Sequence, residues 1–188
     1  MSLKDKEKWE AKYGSSTRKA EREPSRWLAD HADLLDGRGK ALDIAMGEGR
    51  NTLFAASLGY ETWGIDISEI GISRAESLAR ENKLTIHTQI ADLDDFKIDE
   101  NAYDLIICFY FLDRHLFESI CKGLKPGGIL VYETFTVDYL KYSGLKREWV
   151  LEKNELREAF SELNVLDYRE LDEPENEKAY ASLVARKE

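Results

Sequence analysis

The chain has 188 residues, room for one α/β domain with a full core. Its 43% hydrophobic and 34% charged residues are the proportions of a globular protein that folds in water. A net charge of −10, from 37 acids against 27 lysines and arginines, supplies no field to draw in phosphates and argues against a nucleic acid or an anionic membrane as substrate.

Residues 1–39 precede the first strand. Trp9 and Tyr13 sit at i, i+4 spacing and predict a helix over 3–13, stopped by a loop at 14–17. Pro24 suits the first position of a second helix over 25–35, with Trp27, Leu28, Leu34 and Leu35 apolar. The aromatic residues of this arm fit plain packing against a sheet and fit equally a flap over a ligand.

The stretch 40–51, K-A-L-D-I-A-M-G-E-G-R-N, organises the rest of the chain. Its first half is an apolar run broken only by Asp43, and its second half carries Gly47 and Gly49. A helical pattern over 52–58 comes next, so strand, glycine turn and helix succeed one another as in a nucleotide-binding entry turn. A G-x-G pair alone also marks an ordinary tight turn. Asp66, 17 residues after Gly49 at the end of the next apolar run, adds a carboxylate placed to accept both hydroxyls of a ribose. Dinucleotide enzymes read G-x-G-x-x-G, and here the third position is Thr52. Asp43 would also repel a pyrophosphate, whereas it would attract a cationic ligand.

Strand two is predicted over 61–67. Ser68 caps a helix with a stripe of Ile72, Ala75, Leu78 and Ala79, and strand three covers 84–90. Y-D-L-I-I-C-F at 103–109 has the continuous apolar character of a central parallel strand. Leu112, Leu116, Ile120 and Leu124 at steps of four mark a helix, 125–128 a turn, and 129–132 strand five. Residues 136–151 form the longest loop or lid. Asn154 caps a helix with Leu156, Phe160 and Leu163 on one face. Strands over 165–171 and 180–186 are joined too tightly for a crossover helix and so make an antiparallel hairpin. With no repeat or dividing linker, 1–188 reads as a single domain: an arm at 1–39, a possible lid, and a core at 40–188.

Cys108 and Cys121 lie in apolar segments and suit small core residues in a reducing compartment. The densely charged first 25 residues do not resemble a secretory signal, and no apolar run nears the ~20 residues that cross a bilayer. The expectation is a cytoplasmic protein. His31 and His87 have no neighbours that suggest a metal, and no metal site is expected.

D-x-A-x-G-E-G-R-N resembles motif I of the class I S-adenosylmethionine-dependent methyltransferases, and the succession of motifs is similar to theirs over 28–187. G-E-G-R-N, L-K-P-G-G and E-T-F look like the small tellurite-resistance and thiopurine-type branch, with Met46 where many relatives carry cysteine. The resemblance implies a Rossmann-like α/β fold: seven mostly parallel strands in the order 3-2-1-4-5-7-6, strand seven antiparallel, flanked by helices. It implies S-adenosyl-L-methionine as cofactor, S-adenosyl-L-homocysteine as product and a small-molecule methyl acceptor, for a monomer or homodimer. By position, Asp43, Ala45, Gly47 and Gly49 would face the methionine part, with Arg50 and Asn51 at its carboxylate. Asp66 would hold the ribose, with Ile67 against the adenine. Asp92 and Leu93 would meet the adenine and its amino group, and the backbone of Phe109 the cofactor's amine. Asp66 as a helix cap and Asp92 as a solvated turn residue are the alternatives.

Methyl transfer from a sulfonium chiefly requires placement and desolvation. A base is needed only if the acceptor must lose a proton, and His115, Glu133 and Tyr13 are the weak candidates. His115 equally suits a surface position at a helix start, and Glu133 could instead orient Arg114. A non-catalytic adenosyl-binding regulatory or partner subunit is the alternative function.

Overall fold

The computed structural model describes residues 9–11, 13–14 and 23–188. The early part of the expected first helix and the loop at 15–17 lie outside the described residues. Seven strands form a sheet in the order β3-β2-β1-β4-β5-β7-β6. The chain divides into two compact units, 1–97 and 98–188. No helix among the described residues is long and apolar enough to cross a membrane.

In the first unit, β1 (Lys40–Ile44), β2 (Glu61–Asp66) and β3 (His87–Ile90) run parallel, with Lys40 opposite Glu61 and Trp63 opposite His87. After its first residue β1 is wholly buried, as a strand covered on both faces must be. Helix α1 (Arg26–Asp30) is shorter than expected and continues as a 3-10 turn, Ala32–Leu34. Pro24 lies just before the capping residue Ser25, outside the helix. Helix α2 (Arg50–Leu58) starts two residues earlier than its apolar pattern does, directly on Gly49. Helix α3 (Glu69–Glu81) begins where expected, with the Ser68 hydroxyl accepting from the Gly71 N–H at 3.1 Å. Its stripe of Ile72, Ala75, Leu78 and Ala79 is buried. Leu84 and Ile86, read as the start of strand three, instead pack against the clusters of Leu53, Leu78 and Ala79 and of Met46, Ile72 and Ala75.

In the second unit, β4 (Tyr103–Phe109) pairs in parallel with β5 (Leu124–Phe135), and β7 (Lys178–Arg186) lies antiparallel to both β5 and β6 (Asn164–Glu173). Helix α4 covers Leu116–Gly123; Leu112 precedes it and Leu124 already belongs to β5. The expected turn at 125–128 is an extended entry to β5 with a register break opposite Tyr103 and Leu105. It is tied by Gly127 N–H to Lys187 O and by Lys187 N–H to Gly128 O. Helix α5 (Glu155–Ala159) follows Asn154, whose side chain makes no capping bond. Leu156, Phe160 and Leu163 are buried, and Phe160 meets Tyr132 edge-on at 5.7 Å.

Candidate functional site

The turn after β1 is held by carboxylates. Ala45 and Gly47 both have left-handed backbone (φ 56° each), and Gly49 follows at φ 82°. Glycine is required at 49 on space as well, because a Cβ there would stand 2.6 Å from that of Ala75. Asp66, the last residue of β2, accepts the Gly47 N–H on Oδ2 at 2.8 Å and the Ser68 N–H on Oδ1 at 2.9 Å. It therefore does part of a capping job and also ties the turn to the neighbouring strand. A carboxylate has about four lone-pair directions, so both oxygens retain acceptor capacity for a diol. Burial raises the Asp66 carboxyl above its ordinary value, against the pull of those N–H groups.

Asp43 is 2% exposed and accepts a 2.6 Å hydrogen bond from the hydroxyl of Thr52, which is fully buried in the first turn of α2. Burial pushes Asp43 up to about 7, with the Thr52 bond opposing and the Asp66 charge adding to the rise. Thr52 is a site residue that the sequence reading missed. Its signal was present, since it holds the place of the third glycine of a dinucleotide turn.

Arg50 and Asn51 open α2, at the positive end of the helix dipole. The Asn51 side chain is buried and accepts the Ser25 N–H at 2.8 Å, so it anchors the arm. Tyr13 lies against the turn: a Cβ on Gly47 would stand 2.8 Å from its hydroxyl, and one on Gly71 3.4 Å from its ring. Trp9 stacks on Tyr13 with centroids 5.7 Å apart, and Glu10 accepts the Glu69 N–H at 2.8 Å. Burial, then the charges of Asp66 and Glu48, raise the Tyr13 phenol above its ordinary range and keep it a neutral hydroxyl. Trp27, by contrast, is 4% exposed and packs against His31 at 4.2 Å, as a core residue does. Ile67 and Leu93 are buried. Asp92 accepts the Asp94 N–H at 3.1 Å in a turn after β3.

In the second unit, Phe109 ends β4 and is buried opposite Glu133 of β5. Glu133 is 4% exposed, and its partners are the hydroxyls of Tyr110 (2.9 Å) and Ser182 (2.7 Å) and the guanidinium of Arg169 (3.6 Å). It does not orient Arg114. That guanidinium binds the Glu155 carboxylate and the carbonyls of Glu148 and Val150, which fastens the end of the 136–151 segment. The segment is two 3-10 turns, Val137–Lys141 and Arg147–Trp149, closed at its base by a bridge between Thr136 and Leu151. The side chain of His115 is 98% exposed and pairs only with its neighbour Asp113 at 3.0 Å among the contacts described. Among the described residues no group of three or more His, Cys, Asp or Glu is placed to hold a metal ion.

Comparison with known proteins meets this geometry. A methyltransferase-domain family model matches residues 41–128, from β1 through the entry to β5. The probable S-adenosyl-L-methionine-dependent methyltransferase TehB of Haemophilus influenzae is 30% identical over 181 residues, which span 85% of this chain and 63% of TehB. The crystal structure of TehB from Haemophilus influenzae superposes with a TM-score of 0.75 at 24% identity, over 96% of this chain and 67% of that one. The chain is thus similar to methyltransferase domains over residues 41–128, and to TehB in sequence and in fold. The chain spans less than two thirds of the length of the curated TehB. Its fold is shared also with a geranyl diphosphate C-methyltransferase from Streptomyces coelicolor A3(2), solved with S-adenosyl-L-homocysteine, at a TM-score of 0.68 and 16% identity over 86% of this chain and 78% of that one.

The donor set of the first unit fits the family's cofactor. Two buried acids suit its cationic groups and its ribose, and the helix start at Arg50 suits its carboxylate.

Proposed function

We propose that the protein transfers the methyl group of S-adenosyl-L-methionine to a small-molecule acceptor and releases S-adenosyl-L-homocysteine. The observation that carries this reading is the glycine turn whose Gly47 N–H is bound by Asp66 while Asp43 lies buried behind it. Asp43, Ala45, Gly47 and Gly49 bind the methionine part, and Arg50 with the N–H groups around Asn51 takes its carboxylate. Asp66 and Ile67 hold the ribose and adenine, with Asp92 and Leu93 at the adenine edge. Phe109 joins this set on the family resemblance alone.

Bound cofactor supplies a methyl group already activated by its sulfonium, so the chain's task is orientation and exclusion of water. Tyr13 serves the second need by covering the turn, which makes the arm a lid in this proposal. His115, turned to solvent beside Asp113, is the weakest of the candidate bases. The test is transfer of labelled methyl from S-adenosylmethionine to a panel of thiol, amine, hydroxyl and metalloid acceptors. Transfer to any of them supports the reading, and labelling of none, with every acceptor class represented, contradicts it.

A further inference from the structure

Ser25 is the residue by which the arm meets the start of α2, and both lie in the first unit. Its N–H donates to Asn51 Oδ1 at 2.8 Å, and its carbonyl accepts the Ala29 N–H at 3.1 Å. Both backbone groups are spent, so the residue is fixed from two sides. It stands at the cap position of α1, where a serine hydroxyl ordinarily accepts an N–H of the first turn. Here the side chain makes no capping bond. Ser25 is 3% exposed, and its hydroxyl oxygen has no hydrogen-bond partner among the described residues. A hydroxyl withdrawn from water and left unbonded costs stability, so each such group in a native fold calls for a partner.

The surroundings set the chemistry of that partner. The hydroxyl oxygen is three covalent bonds from the nitrogen that touches Asn51, which places it within about 6.5 Å of Asn51 Oδ1. Asn51 is the second residue of a nine-residue helix, whose positive end favours an anion. Arg50 adds a cation there, and its charge reaches the Asp43 carboxyl and the Tyr13 phenol beside the glycine turn. A donor without an acceptor, a helix start and a guanidinium together suit a carboxylate, which accepts through both of its oxygens.

We propose that the Ser25 hydroxyl is a cofactor-binding group, donating a hydrogen bond to the carboxylate of S-adenosylmethionine beside Arg50 at the start of α2. The inference deepens the cofactor reading above and rests on it. The contact exists only for a ligand that carries the carboxylate. Ser25 therefore selects the intact amino-acid end of the cofactor over adenosyl thioethers that lack it.

The test is titration calorimetry on the intact protein with S-adenosylhomocysteine and with its decarboxylated analogue, which ends in a plain aminopropyl chain. Where the analogue binds weakly, its affinity is read by displacement of S-adenosylhomocysteine. Ser25→Ala should weaken S-adenosylhomocysteine about tenfold or more, the yield of one hydrogen bond to a charged group. It should leave the analogue within about twofold of its wild-type affinity, as for groups that do not interact. Without ligand, the urea midpoint of Ser25→Ala should equal or exceed that of the wild type, because alanine removes a buried group that has no protein partner. Ser25→Gly, which suits a cap position, carries the test if Ser25→Ala does not fold. Unchanged affinity for S-adenosylhomocysteine, or an equal loss on both ligands, would overturn the inference. A lowered urea midpoint with both affinities unchanged would overturn it too, and would assign the hydroxyl to a buried water. Absence of S-adenosylhomocysteine binding in the wild type defeats the cofactor reading and this inference with it.

Discussion

The hydroxyl of Thr52 donates a 2.6 Å hydrogen bond to Oδ2 of Asp43, and both side chains are buried. This pair ties the first turn of α2 to β1 where a dinucleotide-binding turn has only a glycine. Thr52→Val keeps the shape and removes the hydroxyl donor, leaving the carboxyl only the backbone N–H of residue 52. It should destabilise the protein by about 1–3 kcal/mol, the cost of an unsatisfied buried polar group. Urea unfolding measures this, and an unchanged midpoint would mean that Asp43 finds another donor.

Asp43 makes stability depend on pH. Its folded value of about 7 lies above the ordinary 3.8, so between the two the folded protein keeps a proton that the unfolded chain has lost. The contribution of this residue is present in full below the ordinary value, falls as pH rises through the window, and is gone above about pH 7. Asp43→Asn should remove that decline, seen as the difference between the two proteins' urea midpoints across pH. Binding of a cationic cofactor favours the ionised acid, so S-adenosylmethionine should release a proton below about pH 7 in the wild type only. Binding enthalpies that do not vary with buffer would contradict the linkage.

Met46 and Gly64 are matched. A Cβ on Gly64 would overlap the Met46 thioether and stand 2.9 Å from its methyl carbon, and Met46 is held in a cluster with Ile72 and Ala75. Gly64→Ala should cost about 1–3 kcal/mol through overpacking. Met46→Cys in that background should recover much of it, giving a coupling energy of about 1 kcal/mol or more in a double-mutant cycle. Additive effects would show that the site relaxes without help from Met46.

Tyr13 covers Gly47, and the arm is fastened independently through Ser25 and Asn51. Deleting residues 1–17 should therefore leave a folded protein. Affinity for S-adenosylhomocysteine should drop by roughly tenfold, an energy near that of one hydrogen bond, and Tyr13→Ala should reproduce most of the loss. Full affinity in the truncated protein would make the arm mere packing.

Much of this was legible in the sequence where burial and periodicity coincide. The run 103–109 is a buried strand, Ser68 caps α3, and the stripe from Ile72 to Ala79 faces the core. Elsewhere apolar residues report burial without reporting the element. Leu84 and Ile86 alternate like a strand but pack on helices, and Leu112 and Leu124 extend the helical spacing beyond α4. Long-range partners were out of reach, because they depend on strand register. Nothing in the spacing of Glu133, Arg169 and Ser182 shows that β7 brings the three into one row, or that Arg114 turns to Glu155 instead. Asp43 and Asp66 were legible as site candidates, but their internal donors, Thr52 and the Gly47 N–H, appear only once β1, β2 and α2 are assembled.

The glycine turn and its two acids are assigned to S-adenosylmethionine and not to a dinucleotide. Titration calorimetry with S-adenosylhomocysteine and with NAD, on the wild type and on Asp66→Ala, separates the two. S-adenosylhomocysteine should bind, NAD should show no measurable binding, and removing the Asp66 carboxylate should cost about 1.5–3 kcal/mol, the range for hydrogen bonds to a charged group. Tight NAD binding, or S-adenosylhomocysteine affinity unchanged in a folded Asp66→Ala protein, would contradict that assignment.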